Sequence, residues 1–167
     1  MTDTALSMLT RRLRTAARID AVAALTLEQR VRSRQRVRLD DGREAGISLP
    51  RGDVLKDGDL LATDDGSLMV RIVAAPESVS VAVCDEPVLL ARACYHLGNR
   101  HVALQIEPGR LCWLHDHVLD VMVRGLGLAV TVQEAPFEPE PGAYGGQAAG
   151  QTDGHAHAHG HGHAHHH

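Results

Sequence analysis

The sequence of 167 residues predicts an α+β protein with three parts: a small all-β N-terminal domain, a ferredoxin-like β-α-β-β-α-β domain and a disordered histidine-rich tail. Short apolar segments separated by turn signals fill the first half of the chain. Strand patterns and two amphipathic helical patterns fill the second half. The last thirteen positions hold eight of the 12 histidines. We expect the parts to span residues 1–75, 76–144 and 145–167.

Composition limits the partners of this protein. A net charge of -4 and an aromatic content of 2% argue against a nucleic-acid-binding surface, which needs cations for phosphates and rings for bases. No apolar run approaches the roughly 18 residues that a membrane span needs. Residues 1–71 carry 13 basic and 11 acidic side chains, whereas residues 72–167 carry 4 and 10. This asymmetry supports two modules, and we expect neither a nucleic acid nor a membrane as partner.

An alternating row of arginines predicts a strand with one solvated face in the N-terminal half. The row consists of Arg30, Arg32, Arg34, Arg36 and Arg38. Charged side chains on an edge strand prevent other strands from adding to it, which is the ordinary interpretation of such a row. An acidic protein partner or a nucleic acid is the alternative.

Turn signals divide the rest of this half into short strands. They are the pairs Asp41-Gly42, Arg51-Gly52, Asp57-Gly58 and Asp65-Gly66. Between and after them, residues 47–49, 54–55, 60–61 and 68–73 are predicted strands of a small all-β module. Residues 9–27 are undecided, because their alanines and leucines favour a helix by propensity alone.

The second half begins with a predicted strand at 79–84 and a helix. Asp85 is its predicted N-cap, with Pro87 in the first turn. One face of the helix is apolar, at Leu90, Ala93, Cys94 and Leu97. Gly98-Asn99 is predicted to end it.

A hairpin, a second helix and a final strand complete the pattern. Strands at 102–106 and 111–114 flank Glu107-Pro108-Gly109-Arg110, which suits a type II turn. Asp116 caps the second helix, Gly125 and Gly127 close it, and residues 128–133 form the last strand. The apolar face of the second helix consists of Leu119, Met122, Val123 and Leu126. The order β-α-β-β-α-β predicts the ferredoxin-like unit.

The cysteines indicate a reducing compartment. Cys84, Cys94 and Cys112 are odd in number and widely spaced, so we expect buried structural thiols. Arginines interrupt the apolar residues near the N-terminus, which excludes a secretory signal there. We therefore expect a cytoplasmic protein.

Three histidines outside the tail are candidate metal ligands. If Glu107 pairs with Arg110, His101 lies at the same end of the hairpin as His115 and His117. The three side chains either share one patch or form two nearby sites. The ordinary alternative is that each is an exposed polar residue; His96, on the first helix, has no clear partner.

The tail is the strongest metal signal. Its histidines are His155, His157, His159, His161, His163, His165, His166 and His167. Flexible imidazoles bind Ni²⁺, Cu²⁺, Zn²⁺ and Co²⁺ with little selectivity. A purification tag is the alternative, but Ala and Gly interleave most of these histidines; only the last three form a block that could have been added. Such a segment buries too little apolar area to order itself.

Several motifs together resemble one family. They are Ala93-Cys94-Tyr95-His96-Leu97-Gly98-Asn99-Arg100-His101, Leu104-Gln105-Ile106, His115-Asp116-His117-Val118-Leu119, Ala135-Pro136-Phe137-Glu138-Pro139 and the tail, with Arg32-Ser33-Arg34, Asp41-Gly42-Arg43 and Leu49-Pro50-Arg51-Gly52 in the first half. They are similar to the urease accessory protein E family, the nickel metallochaperones of urease maturation. The resemblance covers nearly the whole chain.

This resemblance implies a function, partners and ligands. It implies a peptide-binding-like N-terminal domain, with residues 9–27 as strands. It also implies a homodimer in which His101 meets its twofold mate at a metal ion, with further metal at His115 and His117. The implied protein is not an enzyme; its partners are the urease accessory GTPase and, through it, apo-urease with other accessory proteins.

Two other functions stay open from the residues. A general divalent-metal buffer, store or metal-responsive regulator would use the same imidazoles. A metal-dependent hydrolase would use His101, His115, His117 and a bound water. The hydrolase is disfavoured because no carboxylate stands in a suitable acid-base context.

Overall fold

The computed structural model describes residues 6–141, which form two β-sheets and three helices. In chain order the elements are β1 (Ser7–Leu13), β2 (Ala21–Leu25), α1 (Leu27–Arg30), β3 (Arg34–Arg38), β4 (Glu44–Ser48), β5 (Leu60–Thr63), β6 (Met69–Ala74), β7 (Pro76–Val83), α2 (Pro87–Gly98), β8 (Gln105–Glu107), β9 (Arg110–Leu114), α3 (His117–Gly125) and β10 (Val130–Pro136). The predicted α+β class is confirmed. The predicted disordered tail and its eight histidines lie outside the described residues.

The N-terminal sheet contains six strands in the order β2-β6-β5-β1-β4-β3. Strands β1 and β4 run parallel, as do β2 and β6, and the other neighbours are antiparallel. Residues 9–27 are mostly strand, as the family resemblance implies. In β2 the side chains of Ala21, Ala23 and Leu25 are buried and those between them are not. This period of two outweighs the helix propensity of the alanines.

The predicted arginine strand is wrong at its start. Arg30 is the last residue of α1, which Thr26 and Gln29 cap reciprocally, and it is only 2% exposed. From Arg34 to Arg38 the strand exists as β3, at the edge of the sheet. Its arginines are exposed, which agrees with a solvated, protective edge.

The turns of this module form where the sequence predicts them, but one predicted strand is absent. All four glycine turns form, and Gly42 has a φ of 88°, a conformation that favours glycine. Residues 54–55 lie in a loop instead of a strand. Leu55 is nevertheless fully buried, and its N–H donates to the Arg30 carbonyl at 3.0 Å. Burial without a strand partner explains why the apolar pair was misleading.

The second sheet confirms the ferredoxin-like unit. Its strands are antiparallel in the order β10-β7-β9-β8, and the hairpin pairs Gln105 with Cys112 and Glu107 with Arg110, as predicted. Gly109 has a φ of 72°, as a type II turn requires. Helices α2 and α3 contribute Ala93, Leu97 and Val123 to a core around Trp113.

Several boundaries differ from prediction. Strand β8 covers only Gln105–Glu107, so the chain from 102 to 104 is not part of the ladder. The N-cap of α2 is Glu86, not Asp85, and it makes no side-chain capping bond; Pro87 begins the helix. Only Cys112 is a buried thiol; Cys84 and Cys94 are half-buried. Burial raises the pKa of both Cys94 and Cys112.

The N-terminal module meets the second sheet on the face that lies opposite the core around Trp113. Phe137, Val79 and Val81 are buried there, with Leu27 packed against them. The Arg30 guanidinium donates to the Phe137 carbonyl and pairs with Glu138 at 3.0 Å. Helices α2 and α3 therefore lie on the sheet face opposite this junction. Within residues 6–141 no helix is long and apolar enough to cross a membrane.

Candidate metal-binding histidines

His101 lies in the turn that ends α2, and the backbone there forms a Schellman motif. The His101 N–H donates to the Gly98 carbonyl at 2.9 Å, and the Val102 N–H donates to the Leu97 carbonyl at 3.3 Å. In this motif the residue at the His101 position adopts a left-handed conformation, and glycine is usual. His101 has a φ of 57°. It is the only non-glycine residue with a positive φ among the residues described.

A histidine in this conformation is strained and exposed. The left-handed region costs an L-residue about 1–2 kcal/mol relative to glycine. The His101 side chain is exposed, and the hydrogen bonds at this residue within 6–141 are made by its backbone. Strained residues are often found at functional sites, because another requirement holds them there.

His115 is supported quite differently, by buried side chains. It follows β9, and its N–H continues the pairing with β7 by donating to the Ser78 carbonyl at 3.0 Å. Its Nδ1 atom lies 3.0 Å from the Ser80 Oγ and 3.4 Å from Asp120 Oδ2. The His115 side chain is 38% exposed. The ring is therefore anchored on its Nδ1 side and still accessible.

The anchor is itself part of a buried network. Asp120, on α3, is 1% exposed, and its Oδ1 accepts a hydrogen bond of 3.1 Å from the Trp113 indole N–H. The Arg124 guanidinium lies 3.7 Å from Asp120 Oδ2. Ser80 is fully buried. These residues were not among the candidates from sequence, although a carboxylate on the buried face of an amphipathic helix, next to Leu119 and Val123, is a signal that could have found Asp120.

His117 begins α3, directly after the N-cap. The Asp116 carboxylate accepts from the N–H groups of Val118 and Leu119 at 2.8 and 3.2 Å, as predicted. His117 is exposed. His96 is half-buried and packs edge-on against Tyr95, with 5.3 Å between ring centroids.

The three candidates do not form one complete site within a chain. Because the ladder stops at Gln105, His101 is not paired opposite Asp116 in the sheet. His115 and His117 flank the N-cap of α3, and His101 follows the C-terminus of α2. Across residues 6–141 no three His, Cys, Asp or Glu side chains form a group that could hold one metal ion. Within residues 6–141, an ion at these histidines would therefore have fewer than three such donors from the chain.

Helices α2 and α3 each carry exposed apolar side chains. Val88 and Tyr95 on α2 are 69% and 65% exposed, and Val118 and Val121 on α3 are 61% and 63% exposed. Residues seven apart on α2 and three apart on α3 each share a helix face. Exposed apolar residues grouped in this way are typical of interaction surfaces.

The fold and these histidines define a class: a two-module α+β protein whose ferredoxin-like module carries exposed imidazoles and exposed apolar residues on its helices. Two family models match the chain. The N-terminal domain of the UreE urease accessory protein matches residues 9–75, and its C-terminal domain matches residues 77–167.

Curated relatives agree with the family models. The urease accessory protein UreE of Enterobacter sp. (strain 638) is 60% identical over 81% of this chain and 90% of its own length. The UreE proteins of Pseudomonas putida (strain W619) and Citrobacter koseri are 59% and 55% identical, over 82% and 89% of this chain and 85% and 97% of their own lengths. The chain therefore belongs to the UreE urease accessory protein family, and membership implies a role in urease maturation.

Proposed function

We propose that this protein is a nickel metallochaperone, which binds Ni²⁺ and donates it to the urease maturation complex for assembly of the urease metallocentre. The observation that carries the proposal is the exposed, incomplete donor set: His101, His115 and His117 present imidazoles, and no group of three donors forms within residues 6–141. Imidazole nitrogen binds Ni²⁺ well, and Zn²⁺, Cu²⁺ and Co²⁺ would bind the same donors.

An incomplete set suits a carrier. A recipient's ligands can enter open positions on the ion before the donor's ligands leave. A closed shell of four protein ligands is typical of structural sites, which hold their metal. Transfer therefore needs a site that binds with few protein atoms, and His101 at an exposed turn meets that requirement.

A homodimer would bring two His101 side chains to one ion. In an isologous dimer each residue near the twofold axis meets its own copy, so one ligand per chain becomes two. The exposed apolar residues of α2 and α3 support this, because His101 lies in the turn after α2 and Tyr95 lies on the exposed side of that helix. His115 and His117 would hold further ions, and the eight tail histidines would collect Ni²⁺ and raise its local concentration.

The proposed partners rest on the family resemblance. We propose that the dimer docks on the urease accessory GTPase and, through it, on apo-urease with the other accessory proteins. Three free cysteines in the described chain suit a reducing compartment, so the proposed location is the cytoplasm. The protein would act by carrying the ion, without catalysing a reaction.

A general divalent-metal buffer is the second candidate, because an unselective tail would serve it equally well. Urease activation in cells separates the two. The gene is deleted and replaced by the parent, by His101→Ala or by His96→Ala; the last is a matched control, since His96 is a half-buried histidine five positions away. A carrier predicts that deletion and His101→Ala lower urease activity at limiting nickel and that excess nickel restores it. Activity equal to the parent after deletion would overturn the carrier and favour the buffer.

A further inference from the structure

The buried carboxylate of Asp120 is hydrogen-bonded to Trp113 and lies at ion-pair distance from His115 and Arg124. Its Oδ1 accepts from the Trp113 indole N–H, which is only ever a donor. Its Oδ2 lies 3.4 Å from His115 Nδ1 and 3.7 Å from the Arg124 guanidinium. With Trp113 fixed on one oxygen, the other oxygen is left facing the imidazole ring.

This arrangement decides which ring nitrogen of neutral His115 carries the proton. A neutral imidazole has one N–H donor and one acceptor nitrogen. The negative charge of the carboxylate oxygen, 3.4 Å from Nδ1, repels a lone pair on that nitrogen and attracts an N–H there. The Ser80 hydroxyl, 3.0 Å from Nδ1, can either donate or accept, so it adapts to the ring and does not oppose this choice.

We infer that Asp120 is a positioning residue that holds His115 with its proton on Nδ1 and so presents Nε2 as the metal-donor nitrogen. Metal-ligating histidines commonly donate their second N–H to a carboxylate, which fixes the tautomer and strengthens the ligand. This inference rests on the proposed function, since it takes His115 as a ligand. It assigns His115 a prepared donor atom, which exposed His117 lacks.

The isosteric variant Asp120→Asn tests this directly. Its amide oxygen would keep accepting from Trp113, so the amide NH₂ would take the place of Oδ2 and point at Nδ1. The partial positive charge of an NH₂ group at that place favours a lone pair on Nδ1, which moves the proton to Nε2 and leaves no lone pair there for a metal. Asp116→Asn is the matched control, because asparagine caps a helix as well as aspartate does and this change also removes one negative charge beside His115.

The measurement is the tautomer of His115 in the metal-free full chain. Long-range ¹H–¹⁵N correlation spectra of histidine-labelled protein are recorded at about pH 8, where a free imidazole is neutral. His115→Gln identifies the His115 signal as the one that disappears. We expect the Nδ1–H tautomer in the parent, in Asp116→Asn and in Ser80→Ala, and the Nε2–H tautomer in Asp120→Asn.

Three results would overturn the inference: an Nε2–H tautomer in the parent, no change in folded Asp120→Asn, or reversal by Ser80→Ala. The first and third do not depend on Asp120→Asn folding. Adding Zn²⁺ in excess over the tail histidines then tests the ligand role separately. The His115 Nε2 signal should move in the parent and in Asp116→Asn but not in Asp120→Asn. A parent ring with its proton on Nδ1 that ignores Zn²⁺ would support positioning by Asp120 and overturn His115 as a ligand in the proposed function.

Discussion

His101 and His115 belong to the same module, and the structure supports them by opposite means. The backbone places His101, in a left-handed turn that would suit glycine better. Buried side chains place His115, through Ser80 and Asp120. The first arrangement puts an imidazole at an exposed helix end with freedom to meet another molecule. The second fixes one ring in a preferred orientation. The comparison shows two ways of placing an exposed imidazole in one small domain: by the backbone of a turn, or by buried side chains beside the ring.

The first prediction, with the largest expected effect, is that the tightest bound Ni²⁺ depends on His101 and not on His115. In a chain that ends at Tyr144, we expect His101→Ala to remove the tightest bound Ni²⁺, because one substitution deletes two ligands of a shared site. His115→Ala and His117→Ala should keep it. Isothermal titration calorimetry measures this, and the parent stoichiometry should be one tight ion per two chains.

The shortened chain carries its own check. Residues 76–136 complete the second sheet and its helices, so the chain that ends at Tyr144 should keep the helix and strand signals of the full chain in far-ultraviolet circular dichroism. Complete loss of Ni²⁺ binding in a folded shortened parent would mean that the proposed shared site at His101 does not exist. Equal affinity in His101→Ala and the parent would refute His101 as the shared ligand.

The second prediction concerns the network behind His115. Asp120→Ala leaves the buried Trp113 indole N–H without its acceptor, which costs about 1–3 kcal/mol of the free energy of unfolding. His115→Ala removes a half-exposed ring and should cost about 1 kcal/mol or less. Urea denaturation of the metal-free variants measures both losses.

One result would contradict the predicted difference in stability between His115→Ala and Asp120→Ala. If His115→Ala destabilises the fold as much as Asp120→Ala does, the imidazole is part of the core and not a ligand resting on it. Combining Asp120→Ala with Trp113→Phe should reduce the cost of the aspartate change, since the orphaned donor is then absent.

Sequence reasoning reached the architecture because the signals were local. Turn glycines, the Asp116 cap and the period of apolar residues each determine a neighbouring element, and the order of elements then leaves one common fold. Propensity failed at residues 21–25, where burial on alternate sides decided in favour of a strand. Arg30 was placed in a strand because its partners Phe137 and Glu138 are more than 100 positions away.

The candidate site was predictable as a set of residue types and not as geometry. The exposed histidines were identified from spacing and family resemblance. The strain at His101 is a property of one φ angle, and the contact of Asp120 with His115 depends on how α3 packs on the sheet. The helical period places Asp120 on the buried face of α3, but neither its contact with His115 nor the φ angle of His101 follows from a period or a motif.

The third prediction tests that strain. His101→Gly should raise the free energy of unfolding of metal-free protein by about 1 kcal/mol relative to the parent, because glycine adopts a φ near 57° without penalty. The same variant should lose the tight Ni²⁺, so stability and binding would change in opposite directions. His117→Gly is the matched control; it places glycine in a helix and should lower stability by up to about 1 kcal/mol.

Urea denaturation at one protein concentration gives both values, since the stability of a dimer depends on concentration. A His101→Gly variant less stable than the parent would show that the imidazole makes compensating contacts. The comparison of a strained His101 with an anchored His115 would then be lost.

The last prediction, with the smallest expected effect, is that acid releases the metal at a higher pH than it destabilises the fold. Imidazole binds metal only when neutral, and its ordinary pKa is about 6.5, so Ni²⁺ held by the tail and core histidines should leave between about pH 7 and pH 5. The fold has a different acid-sensitive group. Hydrogen bonds from Thr63 and from the Ser67 N–H and hydroxyl lower the pKa of Asp65 to about 2.

The sign of the Asp65 effect follows from that lowered pKa. The ionised carboxylate favours the folded state above the unfolded pKa of about 3.9, and this contribution is lost as the pH falls from about 4 to about 2. Bound Ni²⁺ by equilibrium dialysis and free energy of unfolding by urea are therefore measured against pH for the parent and Asp65→Asn. The nickel curves should superimpose, while stability between about pH 4 and pH 2 should fall less steeply in the variant. Nickel release that coincides with unfolding in the parent would mean that acid releases the metal by unfolding the protein, and not by protonating imidazole ligands in the folded state.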